Sequence, residues 1–335
     1  MRGSSAPRPR SGFVLAATVL ASSLSFIDGS VVNVGLPAIE KGLGDAGPAG
    51  LQWVIDGYLL PLSALVLCGG ALGDRLGRRR LLSVGIALFA LASAGCAFAP
   101  DVKTLILGRI AQGTGAALLM PNSLAVLSDA FDGAVRGRAI GTWAAMGAAT
   151  AGLGPVLGGW LIDLAGWRMI FVINLPLALA ALVLVRGFVS ENASEAGQSL
   201  DVVGGGLAVL GLGLLTLGLV AGAGPAGWTG EAWGDVVGGG VVLACFMAWE
   251  GRCGARAMMP LNLFASRAFV GLTLFTLLLY GALGALTVLL PYAAMQAGRA
   301  TAMAAGAALL PLPIMLAVLS RLTGGLVGRF DMRGL

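Results

Sequence analysis

The chain contains no histidine, three tyrosines and two lysines, Lys41 and Lys103, the rest of its 21 basic residues being arginine. Without histidine it lacks the commonest general base, the usual metal-binding nitrogen and the Ser-His-Asp arrangement of hydrolases. Its four cysteines, Cys68, Cys96, Cys245 and Cys253, show no CxxC spacing and read as free thiols, not as a metal site. Charge of either sign is scarce, at 11% of 335 residues, where soluble domains carry about a quarter. No polar stretch is long enough for a nucleotide-binding domain and no GxxxxGK[ST] loop occurs, which excludes ATP-driven chemistry within the chain. With no clustered catalytic set, the chain does not read as an enzyme, and no metal or other cofactor is expected.

Apolar residues, by contrast, make up 57% of the chain, and 54 residues are glycine. Together they fit membrane-spanning helices, where small residues let backbones approach closely. Runs of about 20 residues, the length that crosses the hydrocarbon core, lie at 13–36, 51–72, 81–99, 104–127, 139–162, 169–188, 202–223, 231–249, 268–292 and 302–319. The eighth is the weakest, since its charge-free part is short and holds Gly238, Gly239 and Gly240. The basic N-terminus before the first run is compatible with a signal peptide, but the run is long enough to span and has no clear cleavage site, so it reads as a retained helix.

A net charge of +5 raises the question of nucleic acid, yet the arginines lie in short clusters between apolar runs, without interleaved aromatics. Topology accounts for them. With ten crossings, sixteen basic residues fall on one side, four on the other, and Arg109 lies within a span. The positive-inside rule then places both termini in the cytoplasm of a cell (plasma) membrane protein.

Four patterns carry chemistry. Asp28 sits mid-span in SFIDGSVVNVGLP. A carboxylate at that depth costs roughly 2.5–3.5 kcal/mol on insertion scales, so it faces a cavity or a partner. It is a candidate proton carrier or cation contact, with a structural ion pair to Arg109 as the alternative. Arg109 stands in LILGRIAQGTGAA with Gln112 one turn on; it is a candidate for biasing a carboxylate toward proton release, with snorkelling to the outer interface as the alternative. GGALGDRLGRRRLL, read as the loop between helices two and three, holds Gly70, Asp74, Arg75, Gly77, Arg78 and Arg79. GLGPVLGGWL in the fifth helix holds Gly154, Pro155, Gly158 and Gly159, where proline can kink a helix and glycines allow close contact. Asp56, near the outer end of helix two, is a further candidate acid, with interfacial exposure as the alternative.

In this order the four patterns resemble the major facilitator superfamily, and within it the fourteen-helix drug:proton antiporters (multidrug efflux transporters). Trp53 and Tyr58 in LQWVIDGYLL, and GWRMIFVINLP from Gly166 to Pro176, are similar to further signatures of that family. Two departures stand out: Gly73 replaces a common alanine, and Thr150 replaces the second upstream glycine of the antiporter motif, while Gly141 is present. The resemblance implies an all-α polytopic membrane protein with the major facilitator fold. It implies that Asp74 and its arginines act in a cytoplasmic gate, Arg109 in proton coupling and the Pro155 region in sealing against leak.

On that plan, residues 1–12 are a cytoplasmic tail, 13–189 a six-helix bundle, 190–201 a cytoplasmic linker, 202–250 an inserted helix pair and 251–335 the start of a second bundle. About ten helices of an expected fourteen are then present, and the chain reads as C-terminally truncated. The expected activity is export of small amphipathic compounds in exchange for protons by alternating access, driven by the proton gradient. A specific metabolite exporter and a non-transporting fragment are the alternatives. The expected partners are a small-molecule substrate, protons and the lipid bilayer, and not nucleic acid.

Overall fold

A computed structural model describes residues 11–44, 47–191, 201–224, 226–254, 261–297, 301–311 and 315. Its helices, in chain order, are α1 (Ser11–Leu43), α2 (Gly47–Leu76), α3 (Arg78–Ala97), α4 (Val102–Ala130), α5 (Gly133–Ala165), α6 (Met169–Val172), α7 (Asn174–Phe188), α8 (Val202–Ala223), α9 (Gly230–Cys253), α10 (Arg267–Gln296) and α11 (Ala302–Ala307). No strand occurs among the described residues. Among the described residues, nine segments are long and apolar enough to cross a membrane, with α6 and α7 together forming the sixth. The tenth expected span begins as α11, but most of its second half lies outside the described residues. The expected eighth span is a continuous helix of 24 residues, α9, long and apolar enough to cross a membrane and opened by the Thr229 side chain accepting from the Ala232 N–H at 3.3 Å.

Several helices outrun their apolar cores. α1 continues through Pro37 to Leu43, although proline leaves the carbonyl one turn back without its donor. The sixth span breaks at Ile173, and Pro176 explains why: it has no N–H to offer the Val172 carbonyl, and its ring crowds that oxygen. The stretch read as a loop between helices two and three is instead helical almost throughout. Asp74 and Arg75 belong to the last turns of α2, Arg78 and Arg79 open α3, and Gly77 alone separates them at φ 101°, a conformation glycine adopts without a Cβ penalty. Outside the spans, Asp101 caps α4 by accepting from the Thr104 N–H at 2.7 Å, and that bond holds its carboxyl below the usual carboxylate range.

Helices α1 to α7 pack around two apolar clusters. One joins Leu24, Leu82, Ile86, Phe89, Leu119 and Val185; the other joins Val31, Ile39, Val54, Leu105, Ile170 and Phe171. α8 and α9 form an antiparallel pair that meets the bundle through α2, where Gly205 lies against Cys68. α10 packs along α1, and α11 along α5, where Gly306 meets the Pro155 carbonyl. The outer face of α10 presents Leu272, Phe275, Leu278 and Leu289, side chains suited to lipid.

Candidate functional site

Between the two apolar clusters lies a polar group assembled from five helices. Asp28 of α1 and Arg109 of α4 are each 1% exposed and pair directly, Arg109 Nη1 donating to Asp28 Oδ2 at 2.5 Å. Arg109 does not snorkel outward, the alternative raised for it; the ion pair raised as the alternative for Asp28 is the arrangement seen. The guanidinium also donates through Nη1 to Gln112 Oε1 at 2.7 Å and through Nε to the Val54 carbonyl at 3.0 Å. Its Cζ lies over the Tyr58 ring, 4.3 Å from the centroid, and 5.9 Å from the centroid of the Phe171 ring. Tyr58 is in turn fixed by a 2.5 Å hydrogen bond to Ser25 Oγ, on the α1 face that carries Asp28.

Gln112 completes the pairing. Its Nε2 donates to Asp28 Oδ1 and to Ser93 Oγ, both at 2.7 Å. Asn174, at the start of α7, donates to the same two oxygens at 3.1 and 3.0 Å. The carboxylate therefore has donors on both oxygens, which offsets much of the cost of taking it out of water. Asp28, Arg109 and Gln112 come together, an arrangement of which the sequence offers only the Asp28–Arg109 ion pair, as the structural alternative to a proton carrier. Asp56 does not join them: it is half-buried on α2 and bonds only locally, accepting from Gln52 Nε2 at 3.1 Å.

Ser93 and Asn174 are site residues that the sequence did not single out. Asn174 stood within the noted GWRMIFVINLP stretch, at the point where Pro176 interrupts the helix; Ser93 had no signal, being one hydroxyl in an apolar run.

At the other end of α2, Arg78 bridges two helices. It donates to Asp74 through Nε at 2.8 Å and to Asp129, in the last turn of α4, through Nη1 at 2.6 Å. Arg79 Nη2 reaches the Arg186 carbonyl of α7 at 2.8 Å, while Arg75 is exposed. Asp129 is a third residue that the sequence reading missed. These pairs are part-exposed, so each contributes about 0–1 kcal/mol and together they act as a breakable clasp, not as a source of stability.

Glycines of α4 and α5 explain how the site is held. A Cβ on Gly113 would press on the backbone carbonyl of Tyr58, and one on Gly115 would meet the Phe89 nitrogen. In α5, Gly154 faces Ser30 and Gly158 faces Val31, so both seat α5 on α1; Pro155 and Gly159 are buried beside them. Gly70 lies more loosely against Pro121. Gly141 has open space around it, and Thr150 turns its hydroxyl back onto the Met146 and Gly147 carbonyls of its own helix. The glycine that α5 needs in this half is Gly147, which faces the Phe26 ring.

The departure at Gly73 has a structural cause as well. Asn122 of α4 donates to the Gly69 carbonyl at 2.9 Å, and its buried Oδ1 lies where a Cβ of residue 73 would stand. Glycine at 73 and asparagine at 122 thus fit each other. Gly73→Ala is expected to lower the melting temperature of the purified protein by several degrees, and Gly73→Ala with Asn122→Ser to recover most of it. Equal loss in the single and double variants would reject the fit.

A family model described as Major Facilitator Superfamily matches residues 18–335. Multidrug resistance protein Stp of Mycobacterium tuberculosis is 34% identical over 321 residues, covering 95% of this chain and 59% of its own length. Methylenomycin A resistance protein of Bacillus subtilis is 33% identical over 325 residues, covering 95% of this chain and 68% of its own. This chain thus spans about three fifths to two thirds of the length of these relatives. Among solved structures, a peptide transporter POT in complex with sulfate aligns with TM-score 0.67 at 16% identity, over 98% of this chain and 71% of that one. A D-xylose-proton symporter aligns with TM-score 0.61, also at 16% identity, over 95% and 69%. At such identities the likeness is one of fold.

Proposed function

The chain belongs to the major facilitator superfamily, and from that premise we propose that it acts in proton-driven export of small amphipathic compounds by alternating access. The observation that carries this reading is the buried Asp28–Arg109 pair. It would set a reversible proton site beside a permanent positive charge, in the buried interior of the bundle. An ionised Asp28 satisfies Arg109, whereas a protonated one leaves it with an uncompensated charge. Proton binding and helix packing are thus energetically linked. The Arg78 clasp would act as the cytoplasmic gate, since it ties α2 to α4 at the end the arginine distribution assigns to the cytoplasm.

The relatives named for multidrug and methylenomycin A resistance support outward transport of drug-like molecules. The second of these is named for a single antibiotic, which favours keeping export of one specific metabolite as the alternative. In either case the proton gradient would be the energy source, with no bound cofactor.

In proteoliposomes carrying an internal pH-sensitive dye, addition of a lipophilic cationic drug is expected to move protons across the native protein. Asp28→Asn, normalised to folded protein, is expected to abolish that movement. Undiminished proton movement in the variant would remove Asp28 from the mechanism.

A further inference from the structure

Both oxygens of Asp28 are occupied by donors: Arg109 on Oδ2, and Gln112 with Asn174 on Oδ1. A carboxylate accepts such bonds, but a carboxylic acid must also donate one. Oδ1, which accepts from both Gln112 and Asn174, therefore cannot take a proton in this arrangement unless a donor withdraws and an acceptor takes its place.

The three donors are not equally free to do so. Arg109 is tied at once to Asp28, Gln112 and the Val54 carbonyl and lies over the Tyr58 ring. Gln112 is held at both ends of its amide, Oε1 by Arg109 and Nε2 by Asp28 and Ser93. Asn174 makes the longest of the three bonds, 3.1 Å, and its Oδ1 is buried without a hydrogen-bond partner among the described residues. An orphan acceptor beside a buried carboxylate lacks a purpose while that carboxylate is ionised. It is the group that a protonated Asp28 needs. Asn174 also sits two residues before Pro176, where the backbone ladder of the span lacks one bond.

The geometry points to Asn174 as the positioning residue that answers protonation of Asp28. The proton arrives on Oδ1, the Asn174 amide turns over, and its Oδ1 accepts the new Asp28 O–H. No covalent bond changes other than that to the proton. Ser93, no longer taken by Nδ2, can turn its own O–H toward the same carbonyl. The attachment of α7 to α1 and α3 thereby depends on the protonation state of Asp28. The charged and titratable groups around Asp28 and its partners are Arg109 from α4, Tyr58 from α2 and Cys96 from α3. α10 brings Tyr292 against the neighbouring apolar cluster, Asp163 of α5 is engaged with the Met303 N–H, and α7 contributes the neutral Asn174.

The inference rests on Asp28 as the proton carrier, and infrared difference spectra of the native chain in lipid nanodiscs, acid minus neutral, separate the two claims. The expected spectrum shows a new protonated-carboxyl band together with a side-chain amide carbonyl band moving to lower frequency as it gains a hydrogen bond. Asp28→Asn should lose both; Asn174→Leu should keep the carboxyl band and lose the amide change. Labelling asparagine side-chain carbonyls with ¹³C in the native chain reads the same amide band without any substitution, should Asn174→Leu fail to fold. A carboxyl band that depends on Asp28 with no amide change, or an amide change that persists in Asn174→Leu, overturns the role of Asn174 and leaves Asp28 standing. A carboxyl band that survives Asp28→Asn overturns both.

Discussion

Arg109→Met should lower the folded yield severely and drop the melting temperature of what remains by about 10 °C, whereas replacing Asp28 and Arg109 together by Leu and Met should restore most of the loss. Removing one partner of a buried ion pair leaves the other charge without compensation, at a cost of about 3–5 kcal/mol, while exchanging both for apolar side chains of similar volume is close to neutral. The surroundings of Arg109 make it a severe case. Asp28 would keep its donors from Gln112 and Asn174, but the Val54 carbonyl would lose the Arg109 donor and Gln112 Oε1 would be left with the Cys96 thiol alone. Arg109→Lys should fall between the extremes. A single ammonium keeps the charge but cannot reach Asp28, Gln112 and Val54 together, nor place a guanidinium over the Tyr58 ring. The double variant should recover folding without recovering transport, which separates the structural part of the pair from its role in proton coupling. Thermal unfolding monitored by tryptophan emission, beside the dye assay, reads both; equal stability of Arg109→Met and the native chain would contradict a buried pair.

The spans were legible because hydropathy over about 20 residues is a strong and redundant signal, while the arginine clusters carry only an expected orientation. Their ends were not, since helices such as α1 and α5 run past the apolar window on polar and small residues that hydropathy scores as boundary. Asp28 and Arg109 could be read as candidates because each is costly at its depth, and a cost demands a reason. That they meet could be offered only as one alternative, because pairing across 81 positions is set by how α1 and α4 pack. Ser93 and Asn174 were hidden for the opposite reason: a neutral hydroxyl or amide is cheap enough in a span to pass without comment. Departures from the family pattern were visible at Gly73 and Thr150, but the account of the first lies on another helix, at Asn122, and that of the second in the open surface of α5.

Gly115→Val is expected to be the most damaging substitution outside the ion pair, and the reason lies in backbone meeting backbone. A Cβ at 115 would stand 2.7 Å from the Phe89 nitrogen and 3.0 Å from the Gly85 carbonyl, while one at Gly85 would meet the Leu119 nitrogen at 2.8 Å. α3 and α4 therefore touch through a reciprocal pair of glycines, where no flexible side chain can give way. On its other side α4 is pressed to α2 at Gly113, so it cannot retreat either. Valine must push α3 outward, and α3 carries Ser93 and Cys96, both bonded to Gln112. Ordinary overpacking costs about 1–3 kcal/mol; a wedge between two backbones should exceed it and empty the site of its α3 contacts at the same time. Gly115→Ala should give an intermediate loss, and Gly141→Ala, with nothing within 4 Å of the added carbon, should be neutral or slightly stabilising, because alanine favours a helix by about 0.5–1 kcal/mol over glycine. Melting temperatures of the three variants in one detergent should follow the order Gly141→Ala, Gly115→Ala, Gly115→Val from highest to lowest. If Gly115→Val melts with Gly141→Ala, α3 and α4 do not approach as closely as their glycines allow.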